Sequence, residues 1–115
     1  MKKLKNLIKL SSKVAIYVPS TIDIDCQVDN SKYVERTGEI LSKYFGGATS
    51  TKCVGMWVSE NKGLVKEKTT LVFAYCSTEQ LEKSIDAIID YCINLKSELK
   101  QDAIALEVNN EMYFI

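Results

Sequence analysis

The pattern of apolar and polar positions predicts an alternation of strands and helices. Val14 to Val18 are all apolar or aromatic and precede Pro19, which is typical of a strand buried on both faces. The polar stretch 20–31 follows. Apolar residues spaced by four, three, one and three positions then predict a helix over about 31–45, ended by Gly46 and Gly47.

The middle of the chain predicts two strands joined by a tight turn. Residues 48–59 are rich in β-branched and aromatic side chains, and 60–63 end in a glycine suited to a hairpin turn. The next strand begins at Leu64, is polar through 66–68, and is fully apolar over 71–76. We therefore expect the C-terminal part of this strand, 71–76, to be buried and its N-terminal part to be exposed.

The last third predicts a long helix and one or two strands. Ser77 and Gln80 match a capping box, and apolar residues then recur at helical spacing from Leu81 to Leu99. Residues 103–108 form a further strand, and the turn at 109–110 leads to a possible extra C-terminal strand over 112–115.

The order strand, helix, strand, strand, helix, strand is the pattern of a ferredoxin-like βαββαβ sandwich. We therefore expect an α+β fold with an antiparallel four-stranded sheet, a possible extra C-terminal strand, and two helices on one face. Residues 14–115 form this single ferredoxin-like domain. Residues 1–13 form a basic leader, either docked or disordered.

The two strands expected at the centre of the sheet are apolar on both faces, so the face without helices is also apolar. One alternative for this second face combines Val14, Ile16 and Val18 with Leu71, Phe73 and Tyr75, and the other combines Ala15, Tyr17, Val72 and Ala74. An apolar surface of that size marks a partner site. A homodimer through the sheet face is the simplest cover, and the leader is the alternative cover.

Composition narrows the classes of function. The net charge is zero, but five lysines lie within the first 13 residues, so the rest of the chain is acidic overall and nucleic-acid binding is not expected. The sequence has no histidine, the usual general base near neutral pH. Four scattered cysteines without a CxxC motif indicate free thiols in the cytoplasm. No segment is apolar enough for a membrane span.

Six residues are candidates for binding a ligand. Ser20 and Thr21 follow the first strand, Thr49 follows the paired glycines, and Trp57 and Glu67 lie on strands joined by the 60–63 turn. An aromatic ring beside a carboxylate suits a cationic or nucleobase-like ligand. Tyr75 completes the set by placing a hydroxyl on a central strand.

Other motifs carry no site. Asp23, Asp25 and Asp29 resemble a cation loop, but the glycine and glutamate of an EF-hand are replaced by Val28 and Val34. No metal, cofactor or catalytic residue is therefore assigned.

Three functions agree with these features. The favoured hypothesis is a small non-catalytic binding protein, a homodimer that holds a small molecule, such as a nucleotide or metabolite, or a protein partner. One alternative is a stoichiometric inhibitor or accessory protein of a mobile element, whose acidic body occupies a basic site of a nucleic-acid enzyme. The other is a histidine-free small enzyme of the dimeric ferredoxin-like type. Whether the protein is an enzyme is left open.

Overall fold

A computed structural model describes residues 2–23 and 26–115. Both helices are long, α1 over Ser31–Phe45 and α2 over Thr78–Glu98, and a short 3-10 turn covers Leu4–Asn6. The strands are β1 (Ser12–Pro19), β2 (Thr21–Ile22), β3 (Cys26–Gln27), β4 (Thr49–Ser59), β5 (Gly63–Cys76), β6 (Ala105–Val108) and β7 (Glu111–Phe114).

The main sheet has five antiparallel strands in the order β4-β5-β1-β6-β7. The strand β1 pairs with β5 on one side and with β6 on the other. The structure thus confirms the α+β class, with two helices and an antiparallel sheet. The additional C-terminal strand is present as β7.

The core lies between the helices and one face of this sheet. Even-numbered residues of β1 and of the 70–76 part of β5 point into it, and both helices contribute buried apolar side chains. Its members include Val14, Ile16, Val18, Val72, Ala74, Leu41, Ile88, Cys92 and Leu95. We call this face of the sheet the helix-side face and the opposite one the open face.

Local hydrogen bonds fix the ends of both helices. The Ser77 hydroxyl accepts from the Gln80 backbone N–H at 3.1 Å, and the Gln80 side chain accepts from the Ser77 N–H at 2.9 Å, so the predicted capping box is confirmed. Gly46 ends α1 at φ 90°, a left-handed conformation that glycine adopts without strain. The Asp29 carboxylate accepts from the Ser31 N–H at the start of α1.

Two features differ from the sequence-based expectations. The segment after β1 forms a small separate sheet of β2 and β3, too short for any periodic signal. Both groupings proposed for the second face are wrong, because Ala15 pairs with Phe73 and Tyr17 with Leu71. The open face therefore carries the odd-numbered residues of both strands, since a one-residue change of register moves every side chain to the other face.

Residues 2–11, the described part of the chain before β1, bury none of their apolar side chains. Leu4, Leu7 and Leu10 are about half exposed or more, and Ile8 is almost fully exposed. β1 begins at Ser12, inside the segment assigned to the leader. The division into a leader over 1–13 and a domain over 14–115 stays a prediction.

Within the described part of the chain, neither helix combines the length and the apolar composition needed to cross a membrane.

Loss of the α2 cap is expected to destabilise the fold. Ser77→Ala removes the acceptor for the Gln80 N–H, which should lower the free energy of unfolding by about 1 kcal/mol. Urea denaturation measures this change. Ser97→Ala is the matched control, because Ser97 is exposed in the last turn of the same helix and should have little effect. Equal stability of the two variants would contradict the importance of the cap.

Candidate functional site

The strands β4 and β5 extend well beyond the end of β1. Residues 69–76 of β5 pair with β1, whereas residues 63–68 pair with β4 alone among the strands of the described residues. We call residues 54–68, the hairpin that projects past β1, the arm. Alternation along the strands gives the arm two chemically different faces.

The open face of the arm carries an aromatic ring beside a carboxylate. The Trp57 indole Nε1–H donates to Glu67 Oε1 in a long hydrogen bond of 3.4 Å, and the indole is about half exposed. Trp57 lies directly opposite Val65, so it reaches Glu67 diagonally. The predicted neighbourhood of these two residues is therefore present.

The open face has a gap next to this pair, because Gly55 has no side chain there. We call this gap the Gly55 recess. Gly55 is directly opposite Glu67, between Cys53 and Trp57 on the same face. A methyl group added at Gly55 would meet only the Glu67 carbonyl oxygen, at 3.7 Å. The recess thus opens beside the carboxylate and has an aromatic wall.

The remainder of the open face is partly covered by its own side chains. The Tyr17 hydroxyl donates to Glu107 Oε1 at 3.4 Å. Burial raises the pKa of Tyr17, and the negative charge of Glu107 raises it further. The Lys13 ammonium lies 4.8 Å from the Phe73 ring centre and 5.9 Å from that of Tyr75. These contacts favour neutral tyrosine and a cation–π arrangement away from the recess.

The other face of the arm borders a cavity of about 680 Å³, which we call the helix-side cavity. It lies between the arm and residues 20–21 and 27–30. Three lysines, Lys52, Lys66 and Lys68, line it. The Asp29 carboxylate faces them, and hydrogen bonds from the Ser31 hydroxyl and N–H lower its pKa, as does the charge of Lys52.

The six residues predicted to bind a ligand fall in three places. Ser20 and Thr21 line the helix-side cavity, which Glu67 also borders. The side chains of Trp57 and Glu67 meet on the open face.

Thr49 and Tyr75 line a smaller hollow of about 440 Å³ at the other end of the sheet. Trp57 lies eight positions after Thr49 on β4, a distance of about 27 Å along a strand. The six residues do not form one site within a single chain, and their role in binding stays a prediction.

Sequence reasoning missed Gly55 and the three lysines of the cavity. The alternation Lys66-Glu67-Lys68 was the available signal, because it places both lysines on the face opposite the glutamate. Gly55 gave a weaker signal, a glycine inside a strand, which often marks close approach of another group.

No metal centre is evident in the part of the chain that the structure describes, because no three His, Cys, Asp or Glu residues lie close enough to hold an ion. Asp25, considered above for a cation loop, lies outside the described residues. All four cysteines are free. Burial raises the pKa of Cys92 to about 12, which keeps this thiol protonated and unreactive.

The fold resembles solved structures of one enzyme. A phage SAM lyase in complex with S-methyl-5′-thioadenosine superposes with a TM-score of 0.66 at 17% identity, over 96% of this chain and 92% of that one. The apo state of a phage SAM lyase gives a TM-score of 0.63, also at 17% identity, over 96% and 95% of the two chains. The sequence matches no protein-family model and no curated protein sequence.

This likeness corrects the function favoured from the sequence. The prediction of a non-catalytic binding protein is wrong, because the solved structures that share this fold over nearly the whole chain are those of an enzyme. A likeness to an enzyme could not be predicted from the sequence, because the chain has no histidine and no motif familiar from catalytic sites.

Proposed function

We propose that this protein is a lyase that cleaves S-adenosylmethionine (SAM) and releases S-methyl-5′-thioadenosine. Two observations support the proposal: the likeness in fold to the phage SAM lyase, and the Trp57–Glu67 pair beside the Gly55 recess. The pair is the observation that carries it, because likeness in fold alone does not fix a function.

The chemistry of the pair suits a sulfonium nucleoside. SAM combines a positively charged sulfur with an adenine ring. The Glu67 carboxylate attracts the sulfonium, by up to about 1 kcal/mol while the pair is exposed to water and by more once water is excluded. The exposed indole of Trp57 offers a flat apolar surface for the adenine. The Gly55 recess leaves room for the S-methyl group between them.

Charge also favours the open face over the helix-side cavity. Three lysines line that cavity, and their ammonium groups repel a sulfonium. The Glu67 side chain is on the opposite face of β5, bonded to Trp57. The cationic reacting centre is therefore assigned to the open face.

The reaction needs no histidine. The bond between the sulfur and Cγ of the methionine chain breaks, and its electron pair stays on sulfur, which becomes a neutral thioether. The four-carbon fragment supplies electrons to Cγ from within itself. Either its own carboxylate bonds to Cγ, or a Cβ–H bond becomes the new double bond while Glu67 accepts the proton. In both routes Glu67 stabilises the sulfonium as the substrate binds.

We also propose that the strand order β4-β5-β1-β6 is the ferredoxin-like one, with β7 added at its edge.

We further propose that a second copy of the chain covers the open face, so that the protein is a homodimer. Large apolar side chains remain exposed on this face, including Trp57, Tyr75, Met112 and Phe114. A cover would exclude water from the recess and strengthen the attraction of Glu67 for a cation. We place the protein in the reducing cytoplasm, to which its free thiols are suited.

Removal of the Glu67 charge tests the site. Glu67→Gln keeps the shape and an acceptor for Trp57 but not the charge, so we expect kcat/KM for SAM to fall by about 10²-fold or more. Liquid chromatography of S-methyl-5′-thioadenosine measures turnover. Glu60→Gln, in the turn of the same arm, is the control and should retain activity. Absence of product with the wild-type protein, or an active Glu67→Gln variant, would overturn the proposal.

Filling the recess should weaken binding and leave the fold intact. Gly55→Ala introduces no contact closer than 3.7 Å and no left-handed backbone strain, so its melting temperature should be near that of the wild type. We expect KM for SAM to rise by about tenfold, as the added methyl displaces the substrate. Gly38→Ala on α1 also meets no neighbour and serves as control. An unchanged KM for Gly55→Ala would place the substrate elsewhere.

Light scattering tests the cover of the open face. We expect the mass of a dimer for the full chain and a shift to monomer for Phe114→Lys, which places a charge on an exposed apolar position opposite Ala105. Tyr113→Lys, on the other face of β7, is the control and should stay dimeric. A monomeric wild-type protein would exclude the homodimer.

A further inference from the structure

The helix-side cavity is built for a charge opposite to that of a sulfonium. Its volume of about 680 Å³ is within the range of small-molecule sites, roughly 300–1,000 Å³. The proposed lyase chemistry uses none of its lysines. The cavity is therefore considered as a separate site.

Three ammonium groups converge on it from two paired strands. Lys66 and Lys68 lie on the same face of β5, with Cα atoms about 7 Å apart by strand geometry. Lys52, on β4, is directly opposite Thr70 of β5 and therefore diagonal to Lys68. Within residues 2–23 and 26–115, none of the three makes a salt bridge, since the ion pair present is Arg36–Glu98. Their charges are thus available to a ligand.

The opposite wall adds hydrogen-bonding groups and the positive end of a helix. Asn30 is held by its side-chain N–H groups, which donate to the Val18 carbonyl and the Thr70 hydroxyl, and it fixes the first turn of α1 at the cavity. No acidic residue lies in that turn. Ser20, Thr21 and Gln27 add polar groups.

Acidic groups offset only part of this positive charge. Asp29 lines the cavity, and its Oδ1 accepts from both the N–H and the hydroxyl of Ser31. Glu67 borders the cavity, but its carboxylate is bonded to Trp57 on the open face. Three lysines against Asp29 leave the described lining positive.

We propose that this cavity binds the di- or triphosphate group of a nucleotide-sized metabolite. Lysines spaced by about 7 Å along β5, with a third across the strand pair, match a chain of phosphates better than one phosphate. The polar wall of Ser20, Thr21 and Gln27 faces the rest of the ligand. The site does not rest on the lyase proposal, and its ligand carries the opposite charge to a sulfonium.

Calorimetric titration of the full chain at low salt tests this site with four probes: ATP, inorganic triphosphate, adenosine and a single-stranded oligonucleotide. We expect ATP and triphosphate to bind at the cavity lysines. Adenosine, which could reach only the proposed adenine surface at Trp57, should bind much more weakly than ATP and should not respond to changes at these lysines. The double variant Lys66→Gln and Lys68→Gln should weaken ATP binding by about tenfold or more. Both lysines are exposed, so the melting temperature should stay near that of the wild type.

A control with the same change of net charge distinguishes a specific site from general attraction of an anion to a basic surface. Lys62→Gln combined with Lys83→Gln removes two exposed lysines outside the cavity and should change the affinity for ATP by less than about twofold. Equal losses in the two double variants would overturn the proposal. So would the absence of binding by ATP and triphosphate, adenosine binding as tightly as ATP, or a single-stranded oligonucleotide binding more tightly than ATP.

Discussion

The length of β5 relative to β1 determines where the two candidate binding sites of this protein lie. β5 has 14 residues and β1 has eight, so the first part of β5 has β4 as its partner and no strand on its other side. The helices pack over the part of the sheet that contains β1. Beyond it, both faces of the arm are open, which is why half-exposed aromatic and charged side chains persist there. The Trp57–Glu67 pair and the lysine-lined cavity both depend on this projection.

Strand alternation then separates charges that are adjacent in sequence. Lys66, Glu67 and Lys68 are consecutive, yet the carboxylate and the two ammonium groups lie on opposite faces of β5. The open face receives an anion beside an indole, which suits a sulfonium nucleoside. The helix-side face receives cations, which suit phosphates. The two proposed sites therefore lie on opposite faces of one short hairpin and need no buried ion pair with its desolvation cost.

Strong local signals allowed much of the fold to be predicted. Val14 to Val18 and Leu71 to Cys76 are apolar at every position, which identifies strands with neighbours on both sides, and the Ser77–Gln80 capping box starts α2 where expected. The pairing register was not predictable, because both alternations of β1 and β5 are apolar and either satisfies the core. The β2–β3 pair was missed because strands of two residues have no period.

The candidate site was predictable only in part, because the sequence pattern reveals local pairing but not the positions of residues brought together by the tertiary fold. Trp57 and Glu67 are brought together by a hairpin whose turn is visible in the sequence, so their proximity followed from local pairing. Ser20 lines the helix-side cavity and Thr49 lies far along β4, and a local sequence pattern reveals neither position. Absence of histidine favoured a binding protein, but a reaction whose leaving group is already a sulfonium has less need of a general acid or base.

The most direct test is a crystal structure of the protein with S-methyl-5′-thioadenosine bound. We expect the adenine to stack on the Trp57 indole, with the thioether sulfur beside the Glu67 carboxylate at the Gly55 recess. A nucleoside bound in the lysine-lined cavity, or one that contacts neither Trp57 nor Glu67, would contradict the assignment of the lyase site to the open face of the arm.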